Sequence, residues 1–323
     1  MRITSLSHNR RVLIFYTKTA KMCQDIDKVA GRCEMTMTEK DGFTVYGKQQ
    51  LSLPVLLSVP HAGRDYPEIV FQSLRLPRES LIRLEDRYAD LLLRASVGSG
   101  IPAIVAHKAR AWIDLNRDER DLDVEMVRSA NAADYPAPGL KQRGGLGLVP
   151  RRLAGDGDIW KCQFEMADIN ARIESYHRPY HAEIDELLKL MHAKFGVAIL
   201  LDLHSMPPIR QSQSGTPPQF VVGDRFGQSC SSPFSELLVE QIRLSGYRAA
   251  LNHPYSGEHI LRRHARPRSN VHALQLEVDR SLYLDSNLRE PTHLLGSISL
   301  LVANLARALA KQALGSSTLI AAE

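Results

Sequence analysis

The chain has 323 residues, of which 44% are hydrophobic and 24% are charged, so it can form a sizeable folded core without disulfide bonds. Its four cysteines are scattered and form no CxxC pair, which argues against a disulfide framework and a thiolate metal site. The formal charge of +5 comes from 41 basic residues interspersed with 36 acidic ones, not from a basic stripe that would bind nucleic acid. No apolar run has the length of a membrane span, and no signal-peptide pattern is evident. We therefore expect a cytoplasmic protein that binds small anionic molecules and does not bind nucleic acid or membranes.

The first 45 residues differ from the rest of the chain because they are basic and have little apolar periodicity. We predict a disordered leader over residues 1–45, one folded catalytic domain over residues 46–315 and a flexible tail over residues 316–323. The pattern improves sharply after Glu39, and we hypothesise that the natural start is Met35 or Met37. The intact mass of the native protein would test this start.

Apolar runs and helical stripes alternate along the remaining chain, which is typical of an α/β fold. Besides a central strand, the predicted strands are Leu53–Val59, Ile101–Ala106, Trp112–Leu115, Gln219–Val222, Tyr247–Leu251 and His272–Val278. The predicted helices are Leu74–Leu93, Gln163–Phe195, Pro233–Leu244 and Leu294–Leu309. Pro179 should kink the second helix or mark two helices that lie end to end. Residues 118–158 are rich in Gly, Pro, Asp and Arg, which is typical of an active-site loop or a disordered insert.

The central predicted strand begins with the apolar run Val197–Leu201 and ends in a polar tip that contains His204. A continuous apolar run suits a parallel strand covered on both faces, and ligands bind beyond the carboxyl ends of such strands. His61 follows the first strand in the same way. Glu277 lies within the last predicted strand, where a carboxylate is costly to bury unless it is paired or bound to a metal. We expect these three side chains to meet at one edge of the sheet.

Two imidazoles and one carboxylate are a common zinc-binding set in hydrolases, and they leave one position for water. Such a metal lowers the pKa of its water from about 15.7 to about 7, and a second carboxylate can then act as general base. Glu277 suits the role of base because burial raises the pKa of a carboxyl. The third ligand beside His61 and His204 would be Glu85 or Asp86, and iron or manganese would also suit the set.

Asn116 and Arg117 follow another predicted strand. A guanidinium group can hold a carboxylate through two hydrogen bonds, and the neighbouring amide adds a directional contact. Taken alone, Arg117 is better interpreted as part of a surface salt bridge. Its place beside the other strand ends favours substrate binding.

His177 and His181 are four residues apart on the long predicted helix and could bind a metal from one helical face. No Glu follows in the HExxH manner, so we interpret them first as partly buried supporting residues and second as metal ligands. We assign His181 to the substrate-binding region on this basis.

Seven blocks between about Leu51 and Asp285 carry a resemblance to a known family. They are SVPHAGRDYP, EDRYADLL, WIDLNRDERD, YHRPYHAEID, LLDLHSMPP, NHPYSGEHI and LQLEVDRSLYLD. In this order they resemble the N-formylglutamate amidohydrolase family. The chain is also similar to the wider group of zinc carboxypeptidases and aspartoacylase-like deacylases, in which the DLNR run holds a substrate carboxylate.

The resemblance implies a zinc-dependent α/β hydrolase with a single domain and a mixed, mostly parallel sheet between helices, similar to zinc exopeptidases. It implies the hydrolysis of N-formyl-L-glutamate to formate and L-glutamate. The alternatives are a carboxypeptidase-like zinc peptidase, a deacylase of another N-acyl amino acid, and a non-catalytic protein that binds acidic ligands. The oligomeric state is not indicated.

The resemblance also implies roles for particular residues. His61, Asp86 and His204 would hold one zinc ion, and Glu277 would be the catalytic carboxylate. Arg117, helped by Asn116, would hold the substrate carboxylate. The zinc carboxypeptidase pattern has a Glu three residues after the first histidine, where this chain has Arg64. The missing ligand must come from elsewhere, and the family alignment favours Asp86 over Glu85.

Overall fold

A computed structural model describes residues 36–320, apart from residues 129, 132, 134, 138 and 211–215. Apolar and β-branched runs form most of its strands, as is typical of buried sheets. In chain order, the strands are β1 (Met37–Lys40), β2 (Phe43–Tyr46), β3 (Val55–Val59), β4 (Ala103–Ala106), β5 (Val127–Arg128), β6 (Arg152–Leu153), β7 (Gly157–Asp158), β8 (Phe164–Glu165), β9 (Ala198–Met206), β10 (Phe220–Gly223), β11 (Ala249–Leu251) and β12 (Val271–Asp279).

An eight-stranded sheet has the order β1-β2-β4-β3-β9-β12-β10-β11. The four central strands, β4, β3, β9 and β12, are parallel to one another. On either side of them, β2 pairs antiparallel with β4 and β10 pairs antiparallel with β12. The carboxyl ends of the four central strands therefore lie at one edge. The mixed, mostly parallel sheet that the resemblance implies is confirmed.

Helices cover both faces of this sheet. They are α1 (Glu68–Ser73), α2 (Arg94–Gly98), α3 (Leu140–Arg143), α4 (Met166–Arg172), α5 (Arg178–Phe195), α6 (Ser232–Leu244), α7 (His259–His264) and α8 (Leu295–Ile320). Helix α8 contacts β3 and β9 from one side and packs on α6, while α5 contacts the same two strands from the other side. None of the helices in the described part of the chain combines the length and the apolar character that crossing a membrane requires.

The alternation of side chains along β9 places the polar tip on one face of the sheet. Leu201 and Leu203 belong to the apolar core on the α8 side, and Leu200 belongs to the core on the α5 side. Because side chains alternate with period two, Asp202 and His204 also point to the α5 side. The two faces therefore differ at the carboxyl edge of β9, where the α5 side carries Asp202 and His204.

The predicted helix Leu74–Leu93 is wrong. This stretch contains two 3-10 turns, Arg78–Leu84 and Ala89–Leu93, separated by extended backbone at Glu85. The amide of Asp86 donates to the carbonyl oxygen of His61 at 2.9 Å instead of to a helical carbonyl, and Tyr88 has a positive φ of 59°. The tertiary hydrogen bond and the left-handed residue together prevent a continuous helix.

The predicted strand Trp112–Leu115 is also wrong, because this segment forms turns. The amides of Trp112 and Ile113 donate to the carbonyl oxygen of Ala109, so they are not available to a neighbouring strand. The long predicted helix is confirmed as two helices end to end, since a π-helical turn, Ile173–His177, joins α4 to α5. Pro179 lies directly after that turn, in the first turn of α5, where a missing amide proton is tolerated.

The predicted boundaries of the folded domain are too narrow at both ends. Strands β1 and β2 lie within the stretch predicted as a leader, where pairing of β2 with β4 buries Phe43 and Val45. Helix α8 continues to Ile320, beyond the predicted boundary at residue 315. The rest of the predicted leader, residues 1–35, and the last residues, 321–323, lie outside the described part of the chain.

Gly63 follows β3 in the loop that carries His61, and this position has no room for a side chain. A Cβ atom there would lie 2.1 Å from the carbonyl oxygen of Lys108 and 2.5 Å from that of His107. Both neighbours are backbone, so they cannot turn away. We expect Gly63→Ala to lower the free energy of unfolding by about 1–3 kcal/mol, as overpacking typically does.

Urea denaturation would measure the effect. The control is Gly296→Ala in the first turn of α8, where a Cβ atom meets nothing within 4 Å. Alanine there is expected to stabilise the helix by about 0.5–1 kcal/mol. Equal stability of the Gly63→Ala variant and the wild type would contradict the packing described here.

Candidate functional site

The strand ends bring the predicted site residues together at the carboxyl edge of the sheet. His61 follows β3 within two residues, and His204 lies on β9. Glu277 on β12 is the register partner of His204 on the neighbouring parallel strand, so the two side chains share one face. The segment after β4 supplies Asn116 and Arg117, both of which are buried.

His61, Asp86 and His204 form a buried group in which one ligand atom from each residue lies within 4.8 Å of the others. Oδ2 of Asp86 is 2.9 Å from Nδ1 of His204 and 3.6 Å from Nδ1 of His61. Glu85 points elsewhere, because its carboxylate accepts hydrogen bonds from Tyr66 and Arg87. Of the two acidic residues left open by the sequence, only Asp86 contacts the histidines.

The protons of both imidazoles are fixed by buried carboxylates on their far sides. Nε2 of His61 is 2.6 Å from Oδ1 of Asp114, and Nε2 of His204 is 2.8 Å from Oδ2 of Asp202. A carboxylate can only accept, so each Nε2 donates. Nδ1 of His204 then either donates to Oδ2 of Asp86 at 2.9 Å, as in a protonated imidazole, or binds a metal ion in place of that proton. Nδ1 of His61 is buried and has no hydrogen-bond partner among the described residues. Histidine ligands of metals are commonly held in this way, and the three residues fit a divalent cation.

The electrostatics of the group agree with this fit. Burial alone would raise the pKa of Asp86, but the hydrogen bond from His204 and the nearby imidazole of His61 hold that pKa well below its ordinary value. Burial alone would lower the pKa of His204, but Asp202 and Asp86 raise it well above its ordinary value. Arg280 also donates to Oδ1 of Asp86 at 3.1 Å. The site therefore favours a positive charge between the two Nδ1 atoms, supplied by a proton or by a metal ion.

Glu277 lies beside this group without joining it. Its carboxylate is 7% exposed and accepts a hydrogen bond of 2.8 Å from Nε2 of Gln275. Burial is the main reason that the pKa of Glu277 rises to about 7, with the charge of Asp86 adding to the effect and that of His204 opposing it. A carboxyl with this pKa can accept and release a proton near neutral pH.

Asn116 and Arg117 are held firmly at the side of the site. Nδ2 of Asn116 is 3.3 Å from Nε2 of His204, and its Oδ1 accepts from the amide of Ile260 at 2.9 Å. Nε and Nη1 of Arg117 donate to the carbonyl oxygens of Leu146 and Asn116, and the guanidinium lies 3.6 Å from the carboxylate of Glu258. Nη2 of Arg117 donates no hydrogen bond to another described residue.

Two residues that matter to this geometry were not found by reading the sequence. Asp202 lies two positions before His204, and the period of two that places both on one strand face was the available signal. Arg110 is half-buried in the loop after β4, where Nε donates to Asp114 and the guanidinium interacts electrostatically with Asp86 and Glu277. Nothing in the local sequence distinguishes Arg110 from a surface arginine.

The substrate-binding role of His181 stays a prediction, and the structure shows only what its two nitrogens contact. Its Nε2 is 2.9 Å from the carbonyl oxygen of Leu115 and its Nδ1 is 2.8 Å from Nε2 of His264, so both nitrogens already contact the protein. His181 also belongs to a second buried histidine group with His177 and His259. It supports the backbone next to Asn116 from behind.

The fold and the site together define a class: mixed α/β proteins with a group of two histidines and one carboxylate, able to hold a metal, at the carboxyl edge of parallel strands. The model of the N-formylglutamate amidohydrolase family matches residues 53–284, and this chain belongs to that family. The resemblance carried by the seven sequence blocks is thereby confirmed.

Individual proteins agree with this result. The N-formylglutamate deformylase of Pseudomonas putida is 31% identical over 235 residues, which are 72% of this chain and 82% of that protein. The N-formylglutamate deformylase of Pseudomonas aeruginosa is 28% identical over 240 residues, with 72% of this chain and 83% of that protein covered. The crystal structure of N-formylglutamate amidohydrolase from Ralstonia eutropha JMP134 is similar with a TM-score of 0.77 and 29% identity, covering 84% of this chain and 98% of that chain.

The raised pKa of Glu277 predicts a pH-dependent cost in stability. A carboxyl that binds its proton more tightly in the folded state contributes stability below its unfolded pKa of about 4.3, and this stability is lost as the pH rises through about 7. We expect Glu277→Gln, which cannot ionise, to become more stable than the wild type as the pH rises from 5 to 8. Urea denaturation of metal-free protein at several pH values would measure the difference, and a difference that does not change with pH would contradict the prediction.

Proposed function

We propose that this chain hydrolyses the amide bond of N-formyl-L-glutamate to give formate and L-glutamate. The convergence of His61, Asp86 and His204 beside a buried Glu277 carries this proposal, because it combines a metal-binding group with a base active near neutral pH. Membership of the N-formylglutamate amidohydrolase family and the names of the relatives support the choice of substrate. A deacylase acting on another N-acyl amino acid would use the same residues.

We take zinc as the metal, because two imidazoles and one carboxylate, held in a fixed orientation, are a common set for catalytic zinc. Zinc bound by His61, Asp86 and His204 would supply a Lewis acid that polarises the formyl carbonyl and acidifies water. Asp114 and Asp202 keep the imidazoles in the tautomer that leaves Nδ1 free to bind. Arg280 orients the Asp86 carboxylate through Oδ1.

Glu277 would move the protons of the reaction. As the water oxygen bonds to the formyl carbon, the Glu277 carboxylate accepts the water proton. It then delivers that proton to the amide nitrogen while the carbon–nitrogen bond breaks, so that formate and the free amine of glutamate leave. A pKa near 7 suits both halves of this transfer.

Two arginines would bind the negative charges of the substrate and of the transition state. Nη2 of Arg117 has no hydrogen-bond partner among the described residues, and we assign it to a substrate carboxylate. The side chain of Arg110 retains 18% exposure, and within the described part of the chain only its Nε donates a hydrogen bond, to Asp114. Its terminal nitrogens are therefore suited to stabilise the charge that develops on the carbonyl oxygen.

Formate release from N-formyl-L-glutamate by the purified protein tests the proposal. We expect release to stop after complete removal of metal with a chelator and to return with zinc. Glu277→Gln should lower kcat by about 10²–10⁴-fold, because the proton acceptor is lost, while bound metal is retained. The control is Glu240→Gln, an exposed glutamate on α6.

Three outcomes would be informative. Formate release by a fully metal-free protein would exclude the metal, and turnover of Glu277→Gln near wild type would exclude the assigned base. Bound zinc without formate release would retain the hydrolytic site and move the substrate to another N-acyl amino acid.

The carboxylate behind His204 predicts a separate effect on metal affinity. Oδ2 of Asp202 lies 2.8 Å from Nε2 of His204, but Asp202 is not one of the three residues that would bind the metal. We expect Asp202→Asn to weaken zinc binding by about 10–100-fold, because an amide orients the imidazole and raises its basicity less well. Competition with a chromophoric chelator would measure the affinity, with exposed Asp168→Asn as control. Equal zinc affinity in Asp202→Asn and Asp168→Asn would refute the role of Asp202 in orienting His204.

A further inference from the structure

We propose that His177, His181 and His259, here called the histidine cluster, form a second binding site for a divalent cation of the zinc, nickel or cobalt type. The cluster shares no residue with the group formed by His61, Asp86 and His204. One ligand atom from each of its three residues lies within 4.8 Å of the others. A set of three imidazoles with one open position is an established arrangement for zinc.

The fold builds the cluster from two helices. His177 ends the π-helical turn and His181 lies four residues later on α5, so their rings are neighbours, with centroids 4.4 Å apart. His259 is the first residue of α7, and its ring centroid is 5.2 Å from that of His181. All three side chains are at least nine-tenths buried.

Two nitrogens of the cluster lack partners. Nε2 of His177 donates to the carbonyl oxygen of Arg117 at 2.8 Å, which leaves a lone pair on Nδ1. Nδ1 of His177 and Nε2 of His259 are both buried, and neither has a hydrogen-bond partner among the described residues. Buried polar atoms without partners are costly, and a cation bound by both would remove that cost. For this, the proton of His259 must lie on Nδ1, toward Asp118 at 3.7 Å, and Nδ1 then no longer accepts from Nη2 of Arg262 at 3.3 Å.

The third ligand follows from a count of protons. His181 contacts Leu115 through Nε2 and His264 through Nδ1, and Nδ1 of His264 in turn contacts Asp185 at 3.0 Å. These three contacts need three N–H groups, but two neutral imidazoles supply only two. Asp185 can only accept, so it takes one proton, and one nitrogen of His181 is left with a lone pair and no donor. In either tautomer this nitrogen faces Leu115 or His264, so a cation would bind His181 in place of one of these two contacts.

The charge state of the cluster suits a metal. Burial is the main cause that lowers the pKa of His177 and of His181, and it lowers that of His259 to about 3. The three imidazoles are therefore neutral near pH 7, as a metal requires. The carboxylates of Glu119 and Asp118 lie 3.6 Å from Nδ1 of His177 and 3.7 Å from Nδ1 of His259. They offset the positive charge of an ion and of the nearby arginines.

The position of the histidine cluster links it to the segment that carries Asn116 and Arg117. His177 and His181 contact the carbonyl oxygens of Arg117 and Leu115, so the cluster lies directly behind the segment that presents Asn116 and Arg117. A bound ion would hold this segment in place, and its loss should raise KM more than it lowers kcat. This consequence rests on the proposed function, whereas the binding of the ion does not.

The experiment is to measure zinc bound to the full chain after equilibrium dialysis, using elemental analysis. We expect two equivalents in the wild type, and one equivalent each in His177→Gln and His259→Gln. His204→Ala should lose the other equivalent and keep the one in the cluster. The control is His192→Gln, a half-buried histidine on the same helix, which should keep both equivalents.

Cobalt provides a second measurement that does not depend on the cluster variants being folded. His204→Ala loaded with Co²⁺ should show the visible absorption of an ion bound by imidazoles. A wild type that never binds more than one equivalent, or a His204→Ala variant that binds none, would overturn the proposal. Retention of two equivalents by folded His259→Gln would also overturn it. Formate release plays no part in these outcomes, so failure here is distinguishable from failure of the proposed function.

Discussion

The structure depends on the placement of two buried carboxylates behind two buried imidazoles. Asp114 and Asp202 are both fully buried, and each accepts the Nε2 proton of one histidine. Burial would otherwise raise the pKa of Asp114, but Arg110 and His61 hold it well below its ordinary value. Both imidazoles consequently direct Nδ1, and not Nε2, toward the Asp86 carboxylate and the volume that a metal ion would occupy.

The sequence was sufficient to predict the parts of the fold that depend on local pattern. The runs that became β3, β4, β9 and β12 are apolar enough to be recognised as buried strands, and their parallel register follows from packing helices on both faces. Once these strands were known, the position of His61, His204 and Glu277 at one edge followed from topology. Helices α6 and α8 were predictable for the same reason, since each has an apolar stripe of helical period.

The structural features that the sequence did not predict occur where tertiary contacts override local conformational preference. The stretch from Pro77 to Leu93 has helical periodicity, yet the bond from the Asp86 amide to His61 pulls it into turns. That same bond places Asp86, and not Glu85, against the histidines. Sequence alone left the choice between them open because it depends on a contact across 25 residues of chain. Arg110 was not predicted as a site residue because only its tertiary contact with Asp114 distinguishes it from a surface arginine.

A shared constraint links the two histidine groups. The α5 side of the sheet buries many polar side chains at its carboxyl edge, and each must find a partner there. Hydrogen bonds satisfy most of them, yet the imidazole nitrogens without a partner in the described structure, Nδ1 of His61, Nδ1 of His177 and Nε2 of His259, all belong to the two groups. Between the groups lies the segment from Asp114 to Arg117, which contacts His61 through its first residue and His177 through its last. A segment fixed from both sides loses little entropy when it receives a substrate, and this preorganisation is a physical reason to bury so much polarity.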